Sequence, residues 1–216
     1  MIWRPALALA VASAALVGCG APAPDYQSIW STSATTSAVP TTPPPVVPFS
    51  QYLEGRGVRG VPVAPAELTD IKVTLVRPPG WQPYRNENLL PQTEAIAKNG
   101  AYPTAQVLVF RLHGGFDVPA AIRQANADAM LSPGFKKLGE SFDDFDGFPS
   151  AMIEGSYTGP NDRRLHTYSR IVIPVTPAPD FQRYLVQLTV TSLADQAVAD
   201  SEAIEAIIGG FRVTLT

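Results

Sequence analysis

The sequence predicts an α+β domain: an antiparallel sheet with helices packed on it. Three observations lead there. Strand-like runs follow one another, helical spacing falls only between the third and fourth runs and near the end, and hairpin-turn chemistry joins neighbouring runs. The apolar fraction, 45%, is enough to build a real core.

A leader and a tether precede the domain. Arg4 supplies the charge of a signal peptide, residues 6–17 its apolar stretch, and Leu16-Val17-Gly18-Cys19 is a bacterial lipobox. Residues 1–18 therefore read as a lipoprotein signal peptide, removed so that Cys19 becomes a diacylated N-terminus. The apolar stretch falls short of the ~20 residues that a membrane span needs. Two acyl chains suffice for stable anchoring. The expected location is the outer face of the cytoplasmic membrane, within the cell envelope. Cys19 is the sole cysteine, so no disulfide is available and stability must come from packing. Residues 19–48 carry the lipidated cysteine and then an Ala/Pro/Ser/Thr-rich stretch, with no charge between Asp25 and Glu54. Such a composition cannot offset its ordering entropy, and it predicts a disordered, partly polyproline-II tether.

The domain is expected over residues 49–216. Residues 50–55 suit a short helix, and residues 55–65 a Gly/Pro-rich surface run. Ile71, Val73 and Leu75 alternate with polar neighbours as in a half-buried strand, which Pro78-Pro79-Gly80 stops. Trp81 is a natural anchor after that break. Residues 94–98 form a weaker strand, and residues 106–112, apolar at almost every position, a central one. Asp117 reads as the N-cap of a helix that carries Val118, Ala121, Ile122, Ala125 and Ala129 on one face. Strands follow over residues 135–142, 150–157, 164–175 and 181–191. In the last, Tyr184, Val186, Leu188 and Val190 mark one side and Gln187, Thr189 and Thr191 the polar other. Ser192 and Asp195 resemble a capping box for a closing helix through Ile204 and Ile208, and residues 212–215 a short edge strand.

Few chemistries are open to this chain. Its net charge is −3 and is spread out, so nothing asks for nucleic acid. Neither His113 nor His166 has ligand spacing, so no metal site and no cofactor is expected. Gly155-Ser156-Tyr157-Thr158-Gly159 places its serine one position too early for a nucleophile elbow, and in a strand-to-hairpin run. An EF-hand loop with Gly147 at its sixth position would need oxygen ligands at Phe142 and Ile153, so Asp143, Asp144 and Asp146 read as a hairpin corner. No catalytic residues are assigned. A four-residue turn over residues 159–162 would pair Tyr157 with Arg164, Gly155 with His166 and Ile153 with Tyr168. One face would then gather Tyr157, Arg164, His166, Tyr168 and Arg170, residue types enriched at binding hot spots and capable of cation–π contact, as the candidate partner-binding surface.

The chain resembles the mycobacterial LpqN/LpqT lipoproteins from the lipobox to the end. The resemblance rests on Pro78-Pro79-Gly80-Trp81, Tyr102-Pro103-Thr104-Ala105, Phe148-Pro149-Ser150, Arg164-Leu165-His166-Thr167 and Arg183-Tyr184-Leu185-Val186-Gln187-Leu188-Thr189, with Leu68-Thr69-Asp70 and Ile204-Glu205-Ala206-Ile207-Ile208. It implies a fold similar to Mog1 and PsbP, a sheet between helices, and an actinobacterial envelope. It supplies no catalytic residue.

The expected function is that of a lipid-anchored accessory or binding protein without catalytic activity. Its partners are the membrane, through the N-terminal diacylglycerol-cysteine, and an envelope protein or lipid. The alternatives are a carrier with an apolar sheet–helix cavity and a hydrolase with an unrecognised site.

Overall fold

The structure is a computed structural model that describes residues 46–98 and 100–216. The expected signal peptide, the expected lipidation at Cys19 and the expected tether up to residue 45 lie outside the described residues.

Eight strands form one antiparallel sheet in the order β3 (Trp81–Pro83), β4 (Glu94–Lys98), β5 (Ala101–His113), β9 (Arg183–Leu193), β8 (Arg164–Val172), β7 (Ser150–Thr158) and β6 (Lys136–Ser141), with β1 (Arg59–Pro62) also on β5. The long central strand β5 (Ala101–His113) makes this possible. Its first half pairs with β4 (Glu94–Lys98), and its last residues pair with β1 (Arg59–Pro62). The run after α1 (Phe49–Glu54), read from its Gly/Pro content as extended over the surface, is extended but enters the sheet. β2 (Ile71–Thr74) leaves the sheet and pairs with β10 (Arg212–Leu215) as a separate ribbon. β3 (Trp81–Pro83) is a short added edge.

Both sheet faces are covered. Odd positions of β5 and even positions of β9 (Arg183–Leu193) form one core with Trp81, with Ile204 and Ile207 of α4 (Ala197–Gly210), and with Phe211 and Val213. The opposite positions, including Phe110 and Leu185, pack under Phe49 and Leu53 of α1 and Ile122 of α2 (Val118–Ile122). Trp81 is 2% exposed, as its anchoring role requires. The ribbon is tied down by Asp70, whose two carboxylate oxygens accept from the Tyr184 hydroxyl at 2.9 Å each.

Two local expectations change. The helix after Asp117 is capped as expected, with Oδ1 accepting the Ala120 N–H at 3.0 Å, but it breaks after α2 and resumes as α3 (Ala127–Met130). Asn126 sits in the break, nearly buried, and donates to Glu140 Oε1 and to the Met152 carbonyl, which draws the backbone onto the sheet. Ser192 does not cap α4: it lies inside β9, and the N-cap position, Gln196, makes no side-chain bond. At the corner between β6 (Lys136–Ser141) and β7 (Ser150–Thr158), Asp146 and Gly147 take φ of 51° and 82°, the left-handed values of a tight hairpin turn. Asp146 Oδ2 also accepts the Val213 N–H at 2.9 Å, linking this corner to the ribbon.

Each outer strand is guarded. β6 carries Lys136 and Lys137 and a register break before Gly139, while the short strands β3 and β1 end in Pro83 and Pro62.

Candidate functional site

The β7–β8 hairpin differs from its expected register by one residue. β8 (Arg164–Val172) begins after a five-residue connection in which Asn161 and Asp162 both have φ of 56° and the Gly159 N–H donates to the Arg163 carbonyl at 2.9 Å. Tyr157 therefore faces Leu165, Gly155 faces Thr167 and Ile153 faces Ser169. Alternation makes such a slip change faces. Arg164, His166, Tyr168 and Arg170 do share one face, but Tyr157 lies on the other, with Gly155. The space over Gly155 is taken by Phe135, whose ring comes within 2.5 Å of where a Cβ would stand.

The basic residues of that face are engaged within the protein. Arg164 donates through Nε and Nη2 to Ser156 Oγ at 3.1 and 2.7 Å, and through Nη1 to the Gly134 carbonyl at 2.9 Å. Arg170 donates to the Tyr168 hydroxyl at 2.9 Å and lies over the Phe145 ring, 4.5 Å from its centroid. His166 Nε2 and Glu154 Oε1 are 2.9 Å apart, both partly open to solvent. Ser192 is the cross-strand neighbour of His166. Its hydroxyl is buried and without a hydrogen-bond partner, so it does not bond the imidazole. No group of three or more His, Cys, Asp or Glu among the described residues is placed to hold a metal.

A second arrangement, on the opposite face, escaped the sequence reading. Thr167 and Ser169 of β8 and Gln187, Thr189 and Thr191 of β9 form a patch of hydroxyls and an amide in mid-sheet, where the neighbouring rows are apolar. Alternation alone suggested a solvent-facing side for β9. Instead, the segment from Ala125 to Ser132 covers the patch, and Thr189 is only 7% exposed. Between them lies a partly enclosed cavity of about 30 Å³. Asp128 and Ser132 face it from above, and the Ser132 hydroxyl is buried without a partner. Asp128 Oδ1 accepts the Phe49 N–H at 3.3 Å, joining α3 to the start of α1. Burial pushes the Asp128 carboxyl up to about 6, against the smaller downward pull of that hydrogen bond. Polar residues at mid-strand on both β8 and β9, facing a lone Asp, were the available signal.

An antiparallel sheet covered on both faces defines an α+β domain built around packing. The comparisons narrow this to a family. The family described as "Probable lipoprotein LpqN" matches residues 45–214, and the chain belongs to it. It is 55% identical to the lipoprotein LpqT of Mycobacterium tuberculosis over 213 residues, 97% of this chain and 94% of that one. The crystal structure of LpqN, described as involved in cell envelope biogenesis of Mycobacterium tuberculosis, aligns with a TM-score of 0.63 at 19% identity, covering 77% of this chain and 96% of that one. A solution structure of PsbP from Synechocystis is a looser likeness, with a TM-score of 0.41 at 11% identity, covering 68% of this chain and 94% of that one.

Proposed function

We propose that this chain is a lipid-anchored, non-catalytic accessory protein of the cell envelope that acts by binding an envelope protein or lipid. Family membership supports the lipoprotein reading, and the lipobox supplies the residue, Cys19, that would be acylated. The observation that carries the binding reading is how the sheet faces are filled. The space under the α2–α3 segment is about 30 Å³, far below the ~300–1,000 Å³ of small-molecule sites, and the larger hollow of about 420 Å³ lies open on the loop of residues 84–93 rather than between sheet and helix. That favours an accessory role over an apolar carrier. The buried, unpartnered Ser192 hydroxyl beside His166 speaks in the same way against a serine hydrolase. The role in envelope biogenesis stated for LpqN is extended to this chain by shared family.

The test combines anchoring with capture. In the native envelope, a photo-crosslinker at Glu154, beside His166, should capture a discrete protein or lipid. Wild-type protein should partition into detergent, and Cys19→Ala should remain in the aqueous phase or uncleaved. Aqueous partitioning of the wild type would remove the anchor from this reading. Tyr168 is buried in the core, so the surface is probed at its neighbours: capture that is unchanged by Arg164→Ala with His166→Ala in a folded variant would move the binding surface elsewhere.

A further inference from the structure

We propose that Asp128 is a proton-operated latch that sets how firmly α1 is clamped to the domain. The geometry is specific. Asp128 lies at the meeting point of α3, the first residue of α1 and the polar middle of the sheet, beside a partly enclosed cavity. It receives one long hydrogen bond, 3.3 Å, from the Phe49 N–H. The groups that face the same cavity are uncharged. Ser132 comes from its own segment, Thr167 and Ser169 from β8, and Gln187, Thr189 and Thr191 from β9; Tyr157 of β7 is the other titratable group. Among the described residues no cation lines the cavity to compensate an ionised carboxylate.

Asp128 is half-buried, so water already reaches part of it, and its carboxylate gains by further hydration through the cavity. Its volume of about 30 Å³ holds one or two waters, ~10–15 Å³ being the least that one needs. Full hydration requires α1 and the α3 segment to part. When protonated, the same group loses that drive, and the neutral carboxyl can donate to the hydroxyls and amide opposite. α1 is held otherwise by Phe49 and Leu53, both fully buried, so opening is a minor state whose population the proton adjusts. The element thus regulated is the one joined directly to the tether.

The size of the effect follows from linkage. A carboxyl that ionises near pH 6 when clamped and near 3.8 when solvated makes opening about tenfold more favourable at pH 8 than at pH 5. Native-state hydrogen exchange on the chain from residue 20 onward, corrected for the intrinsic pH dependence of exchange, reads this directly. Protection of the α1 amides and of residues 127–132 should fall about tenfold from pH 5 to pH 8 while staying well below that of the β9 amides, which report global unfolding. In Asp128→Asn, protection should be high and independent of pH. A titration of the Asp128 carboxyl by carbon NMR in the wild type needs no variant and should show its midpoint near 6. The latch is overturned if wild-type α1 protection does not vary with pH, if the variation persists in Asp128→Asn, or if the carboxyl titrates near 4.

Discussion

Lys98 Nζ lies 2.9 Å from Asp200 Oδ1, joining strand β4 to the first turns of α4. The Asp200 side chain is 8% exposed and the Lys98 side chain 38%, so the pair is unequal. Removing the lysine strands a buried carboxylate, and removing both removes the problem as well as the bond. Lys98→Ala should cost ~1–2 kcal/mol in chemical denaturation, discounted for the exposed lysine. The double change with Asp200→Ala should cost clearly less than the two singles together. Additive losses would show the contact contributes nothing of its own.

Gly155 is held by steric necessity. An added Cβ would stand 2.5 Å from the Phe135 ring and 2.7 Å from the Lys136 carbonyl oxygen, and the second contact is backbone. Gly155→Ala should therefore destabilise by ~2 kcal/mol or more, in the upper part of the overpacking range. Adding Phe135→Ala should not rescue it fully, because the carbonyl remains. A neutral Gly155→Ala would mean β6 shifts freely.

Trp81 fills the core between sheet and α4, and its Nε1 is buried without an acceptor. Trp81→Ala should cost ~3–5 kcal/mol. Trp81→Phe should cost much less, since it keeps a ring and gives up no hydrogen bond. A Trp81→Ala loss under ~1 kcal/mol would contradict this packing.

Global stability should carry the mark of Asp128. Its folded-state carboxyl is raised from 3.8 to about 6, so the folded state binds a proton more readily than the unfolded chain. The stability this contributes is complete below pH ~4 and is lost as pH rises through ~6. Against the uncharged Asp128→Asn, the wild type should be equal near pH 4 and less stable by ~1–3 kcal/mol at pH 7.5. Urea denaturation at the two pH values checks both the sign and the window. A variant less stable than wild type at pH 7.5 would show that the Phe49 N–H bond outweighs desolvation.

The strands were legible where a single face is apolar. Ile71, Val73 and Leu75 alternate cleanly, and so do the even positions of β9, because an apolar set confined to one face writes period two into the residues. Pairing was not legible to the same depth. Nothing in the alternation of β2 says that its partner is β10 rather than the main sheet, since that choice depends on residues more than a hundred positions away. The Gly159-Pro160-Asn161-Asp162 stretch announced a turn but not its length, and one extra residue was enough to send Tyr157 to the opposite face. The polar cavity was hidden for a related reason. Gln187, Thr189 and Thr191 have the chemistry of a solvated face, and only the fold of residues 125–132 over them converts that face into an interior. The helix break at Asn126 is equally non-local, because the acceptors that impose it sit on β6 and β7.

The lysines, the register break and the prolines at the borders of the sheet acquire weight from where the chain is proposed to live. Copies held by acyl chains share a plane rather than a volume, and so collide with similar orientation far more often than freely diffusing ones. An open strand with unspent backbone donors and acceptors would, under such confinement, zip neighbour to neighbour into ribbons. Charge and a bulge on β6, and proline at the ends of β1 and β3, keep those rows from matching. A crowded surface can then be populated densely with separate molecules, each free to engage something other than itself.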